Sequence, residues 1–198
     1  MPPDTTNDGA FFYVLQDALR ILFVDDDPIL REFAGVHLTT ENATVAVAQD
    51  GQAALEAMAE LRPDIVLMDL EMPVMDGFQA LARARADHRI AETPIVVITG
   101  REDVVAIDRA FEAGATSFVA KPLNWRLLSY QIRYIDRARR REAALRAQAA
   151  QARKALEDLS IAGSRFLSQA LDAAPALRTS GGPYLAAIET AARAAGGG

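Results

Sequence analysis

Five side chains in this sequence have the types and positions to do chemistry together: Asp25, Asp26, Asp69, Thr99 and Lys121. Each stands at or just beyond the end of a short apolar run: ILFV before Asp25, IVLM before Asp69, IVVI before Thr99 and FVA before Lys121. Three carboxylates on one rim repel one another, so gathering them is costly unless a hard cation sits among them. Magnesium takes few carboxylates and keeps water and phosphate oxygens, so the set implies a divalent metal. A hydroxyl and an ammonium add a donor and a positive charge that suit an anionic group. An acid pair at a strand end is, by itself, commonly a solvated turn. Five residues in register make it a candidate site.

Such a rim needs a scaffold that brings the run ends together. From Leu19 onward the runs RILFVDDD, ATVAVAQD, DIVLMDL, TPIVVITG and TSFVAKP alternate with segments of helical spacing at 28–40, 52–61, 78–86 and 104–113. Alternating strands and helices predict a parallel sheet covered on both faces, because parallel strands need crossover connections. Ligand-binding residues of such sheets gather at the carboxyl ends of the strands. The run ends obey that rule, except the second, where Gln49 and Asp50 add nothing to the site. Met72, Pro73, Asp76 and Gly77 are read as shaping the loop after the third strand. His37 and His88 are read as surface or packing residues.

From Asn124, a suitable N-cap, one helix is expected to about Ala173. Ile135, Ala138, Glu142, Leu145, Ala149, Ala152, Leu156 and Leu159 follow at alternating spacings of three and four, the period of a coiled-coil seam. Glu142 and the alanines make it a weak one. Self-association through this helix is expected, since a lone helix has nothing else on which to bury those leucines. SGGP at 180–183 breaks the pattern, and 184–195 reads as a further short helix. The cluster Arg137, Arg139, Arg140, Arg141 and Arg146 is read as a solvated face, because no helix-turn-helix or aromatic stacking pattern accompanies it. Nucleic acid is therefore not expected as a partner.

Composition sets the outer bounds. The formal net charge of -6 conceals a division. Residues 1–123 carry 9 Lys+Arg against 21 Asp+Glu, and residues 124–198 carry 12 against 6. Two parts with different jobs are implied. Cysteine is absent, which removes disulfides and thiolate chemistry. No run approaches the roughly 18 apolar residues of a membrane span, and the N-terminus has acids where a signal peptide needs bases, so a cytoplasmic protein is expected.

The runs VDDDP at 24–28, MDLEMPVMDG at 68–77, ITG at 98–100 and FVAKP at 118–122 resemble, in order and spacing, the motifs of bacterial two-component response-regulator receiver domains, the family that includes the chemotaxis regulators. The resemblance covers about residues 19–128. It implies a flavodoxin-like doubly wound sheet of five strands in the order 2-1-3-4-5, with an extended C-terminal helix. It also implies that Asp69 accepts a phosphoryl group from a histidine kinase or histidine phosphotransferase. Magnesium would be held by Asp26, Asp69 and the Glu71 backbone carbonyl, with Asp25 acting through water. Lys121 and Thr99 would contact the phosphoryl oxygens. Thr99 and Phe118 would form a switch that alters the surface of the fourth helix, fifth strand and fifth helix. Such a protein catalyses only its own phosphorylation and dephosphorylation.

Gly100 stands where the family often has alanine, leaving the phosphoryl group more open. Glu71 and Arg101 occupy flanking positions and are expected to pair across the mouth of the site and slow hydrolysis. The expected organisation is an N-terminal extension at 1–18, a receiver at 19–136 and a helical tail at 137–198. SRFLS at 164–168 faintly echoes the dimerisation helix of sensor kinases, although no histidine follows His88. Two alternatives to a self-contained regulator stay open: a receiver fragment of a larger signalling enzyme, and a phosphate sink or relay without conformational output.

Overall fold

The computed structural model of the chain describes residues 15, 18–100, 104–178 and 193. Five strands alternate with five helices: β1 (Leu19–Val24), α1 (Pro28–Leu38), β2 (Ala43–Ala48), α2 (Gly51–Leu61), β3 (Ile65–Asp69), α3 (Gly77–Ala86), β4 (Ile95–Thr99), α4 (Val104–Glu112), β5 (Ser117–Ala120) and α5 (Trp125–Arg178). The sheet is parallel, in the order β2-β1-β3-β4-β5. The expected flavodoxin-like architecture is present.

The pleat explains why the central runs are apolar throughout. Ile21, Phe23, Ile65, Leu67, Val96 and Ile98 pack on one face with Ala34 and Leu38 of α1 and Leu128 and Ile132 of α5. Their neighbours Leu22, Val24, Val66, Met68, Ile95 and Val97 pack on the other with Ala54 and Met58 of α2, Ala80, Leu81 and Ala84 of α3, and Ala110 of α4. Successive side chains of a strand point to opposite faces, so a strand covered on both sides must be apolar at every position. The edge strands β2 and β5 lack a neighbour on one side and are only partly buried. Phe118 is accordingly 40 % exposed.

Caps set where the helices begin. Side-chain oxygens of Asp27, Asp50 and Asp76 accept from the N–H groups of Ile29, Ala53 and Gln79, satisfying donors that the first turn leaves open. Asp50, at the end of β2, is thus a cap. Asn124 accepts from the Leu127 N–H at 3.0 Å and starts α5. That helix continues through Pro175 to Arg178, beyond the expected end near Ala173. The segment expected at 184–195 falls almost wholly outside the described residues. Among the described residues no helix is long and apolar enough to cross a membrane.

The chain divides into two compact units, Met1–Arg141 and Glu142–Gly198. In the first, Asp136 of α5 is 3 % exposed and is held by Arg139 at 2.8 Å and Arg140 at 2.6 Å. Arg139 also reaches Asp64 at 3.1 Å, and Arg140 donates to the Ala18 carbonyl at 2.7 Å. Two members of the supposed solvated arginine face are therefore anchors of α5. Their spacing of three and four residues from Asp136 was the available signal. Leu15 is buried in the α1/α5 core, and its carbonyl accepts from Thr40 Oγ1 at 3.0 Å. His37 stacks on Trp125 with ring centroids 5.3 Å apart, which makes it a packing residue.

Candidate functional site

The register of the sheet brings the five residues together. Val24 pairs with Met68, Asp69 with Ile98 and Thr99 with Ala120, so β1, β3, β4 and β5 end side by side. Carboxylate oxygens of Asp25, Asp26 and Asp69 lie within 4.8 Å of one another. Asp25 and Asp69 are buried and Asp26 is exposed. Lys121 Nζ donates to Asp69 Oδ2 at 2.6 Å and lies 2.9 Å from Asp25 Oδ2. The second approach is outside hydrogen-bond geometry, which leaves the fully buried Asp25 Oδ2 with a charge beside it and no aimed donor. Asp25 Oδ1 accepts from the Asp27 N–H at 3.0 Å, and Asp69 Oδ1 from the Glu71 N–H at 3.2 Å.

Burial sets the electrostatics. Desolvation pushes the Asp25 carboxyl above the usual carboxylate range, against the opposing pull of Lys121 and the Asp27 N–H. Desolvation also works against the Lys121 ammonium, but the hydrogen bond to Asp69 and the negative charge of Asp69 and Asp25 outweigh it and raise the group's pKa. One ammonium thus faces two buried or nearly buried carboxylates, with a third in reach. The residues fit a hard divalent cation: the donor set is all oxygen, it carries excess negative charge, and one buried oxygen lacks a donor.

Thr99 is 2 % exposed, and its carbonyl accepts from the Lys121 N–H at 2.8 Å, tying β4 to the start of the loop that carries the lysine. Thr99 also lines a cavity of about 210 Å³ with Leu70, Glu71, Phe78, Val105, Ala106 and Arg109. The Arg109 guanidinium sits 4.2 Å from the centre of the Phe78 ring and covers one side of that cavity. Phe118 does not line it; the ring packs edge-on against Phe111, with centroids 6.2 Å apart. Gly100 lies at the exposed end of β4, and a Cβ there would meet nothing within 4 Å. Arg101 lies outside the described residues, and with it the expected pairing to Glu71.

The loop from Leu70 to Asp76 is held by two glycines that the sequence reading treated only as turn formers or passed over. Gly77 starts α3 directly against β3: a Cβ on it would collide with the Asp69 carbonyl oxygen and lie 2.8 Å from Leu70 Cα. Gly51 starts α2 against the same loop, where a Cβ would lie 2.7 Å from the Met75 carbonyl oxygen. The start of α3 is therefore wedged against the backbone of the central aspartate, and the start of α2 against the loop that follows it.

The model of the response regulator receiver domain matches residues 21–133. The chain belongs to that family. Among curated relatives, the DNA-binding response regulator MtrA of Mycolicibacterium smegmatis is 42% identical over 123 residues, covering 62% of this chain and 52% of the relative. The transcriptional regulatory protein AfsQ1 of Streptomyces coelicolor is 33% identical over 123 residues, with coverage of 62% and 53%. The chain spans about half the length of these relatives. Among solved structures, the chemotaxis protein CheY4 of Vibrio cholerae is 30% identical with a TM-score of 0.54, covering 58% of this chain and 97% of that one. The receiver domain of NarL from Mycobacterium tuberculosis is 28% identical with a TM-score of 0.57, covering 61% and 98%. The receiver thus accounts for the sheet and its helices, and the family match ends at residue 133, leaving most of α5 beyond it.

Proposed function

We propose that Asp69 is the phospho-acceptor of this receiver and takes its phosphoryl group from a phosphohistidine on a kinase or phosphotransferase. One observation carries the reading: Asp69 stands at the centre of the carboxyl rim, with Asp25 and Asp26 on one side and the Lys121 ammonium at 2.6 Å. Phosphoryl transfer asks little covalent work of a protein, so alignment and charge neutralisation are the tasks to fill. An Asp69 oxygen attacks phosphorus in line, the bond to the histidine nitrogen breaks, and an acyl phosphate results. Lys121 exchanges its carboxylate contact for a phosphoryl oxygen, and the Thr99 hydroxyl donates to another. Asp26, Asp69 and the Glu71 carbonyl would hold magnesium, with Asp25 through water; the ion supplies positive charge against the phosphoryl oxygens. Gly100, Glu71 and Arg101 flank the site and tune access of water.

In this reading the receiver of residues 19–136 sits between the N-terminal extension of 1–18 and a helical tail of 137–198. Movement of Thr99 and inward turning of Phe118 alter the α4–β5–α5 surface, and contacts or self-association of the tail carry the signal onward. The test is incubation of the full chain with magnesium and a small-molecule acyl phosphate, read by intact mass. Gain of one phosphoryl group in the wild type, and none in Asp69→Asn or after chelation, is the expected result. Equal gain in Asp69→Asn overturns the assignment.

The curated relatives reopen a second reading that the sequence had set aside. MtrA is named as DNA-binding, and the arginine-rich stretch around 137–146 offers charge for a phosphate backbone. A duplex-binding isotherm that weakens steeply with salt would support it; no binding at low salt would remove it.

A further inference from the structure

In the second unit the described residues are Arg193 and the part of α5 from Glu142 onward, where large apolar side chains are open to water. Leu145, Leu156, Leu159 and Phe166 are 66%, 67%, 69% and 70% exposed. They share one seam with Glu142, Ala149, Ala152 and Gly163, at alternating spacings of three and four. We propose that a second copy of this chain covers the seam, running antiparallel, with Leu145 opposite Gly163, Ala149 opposite Leu159 and Ala152 opposite Leu156. The inference rests on the self-association reading above and adds its direction and register.

The order of large and small residues decides the direction. In a parallel, in-register pair each seam position meets itself. Leu145, Leu156, Leu159 and Phe166 would then form bulky layers, while Ala149, Ala152 and Gly163 would leave thin ones. Helix axes pack at one separation set by the side chains between them, so thick and thin layers in a single seam leave voids or strain. A parallel pair would also set Glu142 against Glu142. In the antiparallel register each of the three layers, read from either copy, combines one leucine with one alanine or glycine. The separation is then even along the contact, and Glu142 falls opposite Phe166 at the outer end, where water and Arg146 reach it.

Two further observations agree. Gly163 lies in mid-helix, where glycine costs about 1 kcal/mol relative to alanine. A Cβ there would meet nothing within 4 Å, so the chain's own described fold does not demand glycine. A facing Leu145 supplies a reason for it. The flanking arginines are neutralised within each helix, Arg146 by Glu142 at 2.7 Å and Arg153 by Glu157 at 3.4 Å. In the antiparallel register Arg146 falls beside Ser160 of the second copy, and Arg153 falls beside Arg153 of the second copy, each with its own Glu157 as counter-charge.

The chain has no cysteine, so a single introduced thiol can be labelled without background. The full-length Ser164→Cys variant, changed off the seam and carrying a nitroxide spin label, is measured by light scattering and by dipolar spectroscopy. The expected result is a dimer with labels about 30 Å apart, since residue 164 of one copy lies level with residue 144 of the other at about 1.5 Å rise per residue. A dimer with labels within about 15 Å is a parallel pair. It overturns the inference and leaves self-association standing. A monomer without dipolar coupling overturns both. The Gly163→Leu variant gives a second reading: association at least tenfold weaker is expected, because leucine would meet Leu145, whereas strengthened association contradicts the register.

Discussion

Replacing Gly77 by alanine isolates what holds the phospho-acceptor in place. The added Cβ would overlap the Asp69 carbonyl oxygen, 2.8 Å from Leu70 Cα and 3.1 Å from the Asp69 carbonyl carbon. All three atoms belong to backbone, so no flexible side chain can yield. Ordinary carbon contacts need about 3.5 Å, so the start of α3 or the end of β3 must move by about 1 Å. Overpacking of this kind costs about 1–3 kcal/mol, and alanine's helical preference over glycine returns about 0.5–1 kcal/mol. A net loss of about 1–2 kcal/mol is expected, read as a lower urea midpoint. Displacement of the Asp69 backbone should cost more in function than in stability, since misplacing a reacting group by about 1 Å can slow a reaction roughly 100-fold. The rate of phosphoryl uptake from a small acyl phosphate is expected to fall at least tenfold. Gly35→Ala, on α1 and outside the rim, is the matched control: its Cβ meets nothing within 4 Å, so stability should hold or rise by up to about 1 kcal/mol and the uptake rate should not change. If the two variants behave alike in midpoint and rate, the wedge is not what positions Asp69.

Lys121→Met leaves Asp25 and Asp69 facing each other without their cation, and a loss of about 2–3 kcal/mol is expected in metal-free buffer, largely recovered with magnesium. A loss below about 0.5 kcal/mol, or one magnesium does not repair, would show that the lysine is not neutralising the rim. The raised pKa of Asp25 sets a pH dependence: the folded state holds this proton more tightly than the unfolded chain, so its contribution to stability is favourable at low pH and is lost as pH rises from the ordinary 3.8 through the raised value. Magnesium reverses that loss, so the gain in urea midpoint on adding magnesium should be largest at neutral pH and shrink as pH falls toward 3.8; a gain independent of pH would argue against Asp25 as a participant.

What the sequence determined by itself was the part written in local pattern. Apolar runs bounded by acids placed five strands, because a strand buried on both faces must be apolar at every residue, and Asp25, Asp26, Asp69, Thr99 and Lys121 followed as the run ends. Capping chemistry was legible at Asn124 for the same reason: the cap lies within three residues of the donor it satisfies. Only tertiary structure decided what depends on distant approach. Gly77 reads as a turn residue until the backbone of Asp69 is seen against it, and nothing in its neighbours in sequence reports that contact. Arg139 reads as part of a charged helical face, or at most as a partner of Asp136 three residues before it, until the fold brings Asp64 to it across 75 positions and forms a partly buried ionic group. Phe118 shows the same limit in reverse. Its run looks like a core strand; the sheet order, implied by the family likeness and not by any local pattern, makes β5 an edge, and the structure shows the ring partly in water.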